Sequence, residues 1–199
     1  MPTSVLRRAP GSPALLPALV RRIGNAMLTE LGLERAELSV LLTNDREIHA
    51  LNLQHRAKDR PTDVLAFPLE ESASAPSFAP STPAAPHSDA WGARLLGDVV
   101  ISLDTAARQA RGRKRELVPE VCFLLAHGLL HLLGYDHGNP KEKRAMTAMT
   151  RRLVRAVAAV TQNLHKITKA GSARPRAAPV SKLRKAGKRP VRARGRHAK

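Results

Sequence analysis

The chain has 199 residues, with 34 Lys and Arg against 16 Asp and Glu, a net charge of +18, and a hydrophobic content of 43% that includes few aromatics. That content sustains one ordinary domain with an aliphatic core, and no apolar run approaches the ~20 residues needed to cross a bilayer. The single cysteine, Cys122, lies in the apolar run VCFLLA, which excludes an internal disulfide, fits a reducing, cytoplasmic setting and makes a small core residue the simplest reading.

The charge is unevenly distributed. Residues 166–199 hold 13 Lys and Arg and no acid, so residues 1–165 carry only 21 basic against 16 acidic residues. The domain is therefore expected over 1–165, and the basic excess over 166–199 is expected to be a disordered tail. The N-terminal stretch MPTSVLRRAPGSPALLPALVRR bears arginines and no acid, but it lacks a secretory apolar core. An amphipathic first helix is expected there rather than a targeting segment.

The spacing of Leu and Val over 13–32 predicts a helix, with Gly32 as its stop. ELSVLLTN (37–44) reads as a strand, and Asn44 is placed to cap a helix from Asp45 to about Gln54. RAKDRPTD (56–63) reads as loop and VLAFPLE (64–70) as a second strand. Residues 71–92 are rich in Pro, Ser and Ala without periodicity, which suggests a flexible insertion. LLGDVVISL (95–103) resumes strand character, and Asp104 or Thr105 is expected to cap the helix beginning TAARQA. A long helix is predicted from Leu117 to Leu133, with Gly134 ending it, and a last helix over 141–160. The order α, β, α, β, β, α, α, α predicts an α+β or α/β fold: one small mixed sheet packed with about five helices.

Residues 127–137 read HGLLHLLGYDH. His127 and His131 are four apart in a predicted helix, so they share one flank and can reach one cation. His137 follows beyond the glycine stop. A lone histidine on an apolar helix is usually a satisfied core residue, but three with this spacing favour one zinc ion with an open fourth position at the end of a core helix. Position 128 is Gly, where zinc peptidases carry the Glu of H-E-x-x-H, which disfavours peptide hydrolysis.

The same run resembles the signature H-G-x-L-H-L-x-G-Y-D-H of the YbeY family of bacterial metallo-endoribonucleases. LNLQHRAKDRPTDVLAFP (51–68) and LLGDVVIS (95–102) resemble two further blocks of that family, in the same order. His55 and Ala66 depart from the residues usual there, and the 71–92 insertion and the tail lie outside the shared pattern. The resemblance implies a zinc-dependent hydrolase that cuts single-stranded ribosomal RNA, acting in 3′-end maturation and ribosome quality control. It also aligns Arg56 with an arginine kept near the metal, where a permanently charged guanidinium suits a scissile phosphate.

Asp136 is a candidate to orient a ligand from outside the metal's own shell. Asp63, Asp98 and Thr62 are explained by turns and caps, and His49 and His55 read as surface residues. Lys182, Arg184, Lys185, Lys188, Arg189, Arg192, Arg194 and Arg196 in the tail suit electrostatic contact with RNA, the ribosome or its small subunit. Two alternatives remain open from the residues alone: a ribosome-assembly factor with structural zinc and no catalysis, and a metal-dependent hydrolase of another substrate.

Overall fold

The computed structural model describes residues 3–69, 95–136, 138–158 and 160. The insertion at 71–92, His137 and the basic tail lie outside the described residues. Four strands and five helices follow in the order β1 (Thr3–Arg7), α1 (Pro17–Glu30), β2 (Glu37–Thr43), α2 (Asp45–Arg56), β3 (Val64–Pro68), β4 (Leu95–Ser102), α3 (Leu103–Gly112), α4 (Leu117–Leu132) and α5 (Pro140–Ala156). The sheet order is β1-β2-β4-β3; β1, β2 and β4 are parallel and β3 is antiparallel to β4. This is the expected mixed sheet with five helices.

Two expectations need correction. The N-terminal stretch opens with a strand, Thr3–Arg7, and the first helix begins only at Pro17. β1 pairs in parallel with β2, which lies far along the chain, so no local turn announces it. The cap of α3 is Ser102, the last residue of β4, whose hydroxyl accepts from Thr105 N at 3.2 Å. Asp104 instead accepts from the backbone N of Asp45 at 3.1 Å, across to α2.

Alternation along the strands divides the core between two faces. Leu38, Val40 and Leu42 of β2 and Val99 and Ile101 of β4 bury into one cluster with α1, α3, α4 and α5. The opposite face has a smaller cluster of Leu65, Val100 and Ile48, flanked by Leu41, Leu51 and Phe67. Only α2 covers that side among the described residues.

β4 makes room for its partner through a register shift, in which Glu37 pairs with Leu95 but Leu38 pairs with Gly97. Gly97 has φ +121°, and a Cβ there would lie 2.1 Å from the carbonyl oxygen of Phe67. Both the backbone conformation and the space require glycine. No described helix is long and apolar enough to cross a membrane.

Candidate metal centre and its surroundings

The first half of the site is a flank of α4. This helix buries Leu124, Leu125, Gly128, Leu129 and Leu132, while His127 and His131 are half-buried and Phe123 is exposed. α4 packs over β3 and β4: a Cβ at Gly128 would meet Val99 Cγ1 at 2.7 Å and Val64 Cγ2 at 3.2 Å. Its buried residues join α1 and α5 in the main core, which leaves the histidine flank facing outward on the β3 side.

The imidazoles of His127 and His131 lie with ring centroids 4.7 Å apart and planes at 88°. Phe123, one turn earlier, lies nearly parallel to His127 at 6.2 Å and backs that ring. Two imidazoles brought together on one half-exposed flank fit two positions of a zinc donor set. The remaining candidate, His137, lies outside the described residues, and among the described residues no group of three His, Cys, Asp or Glu gathers around one point.

The end of α4 turns the chain back. Gly134 has φ +83°; its N–H donates to His131 O at 3.0 Å and the N–H of Tyr135 donates to Leu130 O at 3.0 Å. These are the two bonds of a Schellman stop, and Tyr135 then packs on the main core. Asp136 follows as an exposed residue, at the start of the segment that leads through Gly138 to α5, which Asn139 caps through Lys141 N and Glu142 N.

The fit of Gly128 also bears on chemistry. The position between the two histidines points into the sheet, so a glutamate there has no room to serve as a general base. Cys122 is no nucleophile either, since burial pushes its thiol up to about 12.

Arg56 is the last residue of α2 and is exposed. α2 ends in a left-handed Ala57, φ 52°, with Lys58 N donating to Asn52 O at 3.3 Å. The preceding residue, His55, meets Phe67 of β3 in a T-shaped contact at 5.0 Å. β3, the outermost strand, therefore meets α4 through Val64 on one face and the end of α2 through Phe67 on the other.

The start of α2 is fixed by a shared carboxylate. Asp45 accepts from Ser102 Oγ at 2.5 Å, Thr105 Oγ1 at 2.7 Å and Arg108 at 2.6 Å. Burial raises its pKa, but those hydrogen bonds and the Arg108 charge outweigh burial and hold it below the ordinary carboxylate value. Asp63 has the structural role expected of it, accepting from Val64 N at 2.9 Å and from Gln109 Nε2 at 2.9 Å.

A model of the family described as endoribonuclease YbeY matches residues 12–158. The chain belongs to that family. Among its relatives, the endoribonuclease YbeY of Anaeromyxobacter dehalogenans is 46% identical over 154 residues, covering 76% of this chain and 71% of that protein. The endoribonuclease YbeY of Anaeromyxobacter sp. strain Fw109-5 is 50% identical over 131 residues, covering 66% of this chain and 59% of that protein. The solution structure of a Thermotoga maritima protein has a similar fold, with a TM-score of 0.54 at 22% identity over 87% of this chain and 99% of that one.

His55, which reads as an ordinary surface residue in the sequence, contacts an aromatic ring at the end of the helix that carries Arg56. Phe67 reads in the sequence as one more strand residue. The signal for both is the register of the sheet, which the linear sequence does not contain.

Proposed function

We propose that this protein is a metal-dependent endoribonuclease that cleaves single-stranded RNA, with one zinc ion held by His127, His131 and His137. The observation that carries this reading is the histidine pair, two rings 4.7 Å apart on the half-exposed flank of α4, in a chain that belongs to the endoribonuclease YbeY family. When bound, zinc supplies a Lewis acid that polarises a phosphoryl oxygen and acidifies water.

The chain's own residues do the rest. Phe123 holds the His127 ring in place, and the stop at Gly134 returns the chain towards the histidine end of α4. Asp136 lies next to His137 in sequence and acts from outside the donor set, orienting an imidazole. Arg56, with no acid paired to its exposed guanidinium among the described ion pairs, binds phosphate oxygens and shares the charge that develops on phosphorus.

The substrate expected from the family is ribosomal RNA, cut during maturation of 3′ ends and in ribosome quality control in the cytoplasm. The tail arginines and lysines, including Lys182, Arg184, Lys185, Lys188, Arg189, Arg192, Arg194 and Arg196, add salt-dependent attraction to RNA or to the ribosomal small subunit.

The test is cleavage of a labelled single-stranded ribosomal RNA fragment by the full chain, with zinc quantified in each sample. His131→Ala is expected to lose zinc and cleavage together while remaining folded. Arg56→Ala is expected to keep zinc and lose cleavage by about 100-fold, in the range of a lost charge-stabilising group. Equal cleavage by all three proteins, or cleavage by metal-free His131→Ala, overturns the reading.

A further inference from the structure

Among the described residues, the outer face of the sheet is only half covered. In register across all four strands run two rows of side chains on that face. One is Leu6, Leu41, Val100 and Leu65, lying beneath Ile48 and Leu51 of α2 over most of its length. The next is Ser4, Ser39, Asp98 and Phe67, and here every residue is exposed or half-exposed. This second row lies beyond the covered core, at the end of α2 where His55 meets Phe67. A cavity of about 660 Å³ opens over it, walled by Arg8, Leu51 and His55. That volume falls within the range of small-ligand sites.

We propose that this row is a nucleobase platform: one unpaired base of the RNA stacks on Phe67, and the carboxylate of Asp98 accepts from an exocyclic amine on its edge. The inference rests on the reading that RNA is the substrate.

The chemistry of the lining supports that occupant. An aromatic ring on an open sheet surface is a recurrent support for an unpaired base. Phe67 is held for that role by packing against the buried Leu65 and Val100 and by His55, which meets it in a T-shape at 5.0 Å. One cation walls the cavity and can meet a phosphate beside the base: Arg8, with a side chain 60% exposed and a loose 3.5 Å pair to Glu47.

Asp98 gives the platform selectivity. A carboxylate in the path of a polyanion is repulsive unless something donates to it, and ionised Asp only accepts. Cytosine offers an amine at N4, whereas uracil offers a carbonyl oxygen there. Ser39 and Ser4, whose hydroxyls are 3.2 Å apart, can complete the base edge as donor or acceptor. The platform therefore favours amine-bearing bases over uracil.

The experiment is binding of fluorescently labelled oligo(C) and oligo(U) of equal length to the full chain, read by anisotropy. The ratio of the two affinities cancels the phosphate attraction common to both, including that of the basic tail. The wild-type protein is expected to bind oligo(C) roughly tenfold more tightly than oligo(U), the discrimination of one good base contact. Asp98→Asn, which can donate as well as accept, is expected to bring the ratio close to one. Phe67→Leu keeps the apolar volume but removes the ring, and it is expected to weaken both oligonucleotides by about tenfold, while Phe67→Trp retains them.

Equal binding of the two oligonucleotides by the wild type, or unchanged binding by Phe67→Leu, overturns the platform. So does concentration-dependent self-association of the wild type that Phe67→Leu abolishes, since a second copy then occupies the face. Failure of the cleavage reading is distinguishable: a protein that cuts no RNA but shows the oligo(C) preference and its loss keeps the platform and loses the nuclease. One that cuts RNA with a flat ratio does the reverse.

Discussion

The two faces of the sheet are built from similar strands and put to different use. On the inner face α1, α3, α4 and α5 form one continuous core, and α4 approaches so closely that Gly128 leaves no space for a methyl group above Val99. On the outer face, among the described residues, one 12-residue helix covers one row of side chains and leaves the next uncovered. Close packing on the inner side fixes the rotation of α4, and so the direction in which His127 and His131 point. Sparse packing on the outer side leaves surface for a ligand. Rigidity and access, which one face supplies poorly together, are divided here between two faces that meet at β3.

The largest expected effect comes from the place where the faces share backbone. Gly97→Ala puts a Cβ 2.1 Å from the Phe67 carbonyl oxygen at φ +121°. A cost of about 4 kcal/mol in urea unfolding is expected, since both the strand pairing and the backbone angle must yield. A cost below about 1 kcal/mol would show that the outer row tolerates rearrangement.

Gly128→Ala tests the inner face alone. The added methyl meets the side chains of Val99 and Val64, which can shift in part, so a smaller loss of about 1–3 kcal/mol is expected. Because α4 must lift or rotate, zinc affinity is expected to fall with stability. Full stability together with unchanged zinc binding would mean that the helix is not held as closely as the contacts indicate.

The smallest effect is set where α2 is anchored. The depressed pKa of Asp45 makes its contribution present above the unfolded-state value, and that contribution is lost as pH falls through the lower folded value. Asp45→Asn is expected to cost about 1 kcal/mol at neutral pH, as one hydrogen-bonding group weakened. The difference from wild type should shrink below about pH 4, where the unfolded chain takes up its proton first and the folded carboxylate follows at lower pH. Urea unfolding repeated at several pH values reads both; a constant difference would remove the carboxylate charge from the account.

Much of this architecture was legible in the sequence because its signals are local. The period of Val20, Ile23, Met27 and Leu28 marks α1, Asn44 caps α2 through Glu47 N, and Gly134 stops α4. The adjacency of His127 and His131 follows from a spacing of four on a helix. What escaped depends on partners distant in sequence. β1 is five residues long and is recognisable only from its pairing with β2. Ser102 serves as both strand end and helix cap, while the acid expected to cap α3 reaches to Asp45 instead. The row Ser4, Ser39, Asp98 and Phe67 draws one residue from each strand, so no window of the sequence contains it.

The anchoring of α2 has a mechanical side. The helix is clamped at Asp45 by Ser102, Thr105 and Arg108, and it carries Arg56 at its other end, about 16 Å away at the usual rise per residue. It is a cantilever, and a tilt of roughly 3° at the clamp swings its tip by about 1 Å, the scale of misplacement that can cost on the order of 100-fold in rate. On the proposed role of Arg56, a serine and a threonine at the head of another helix thereby set how accurately the guanidinium is aimed.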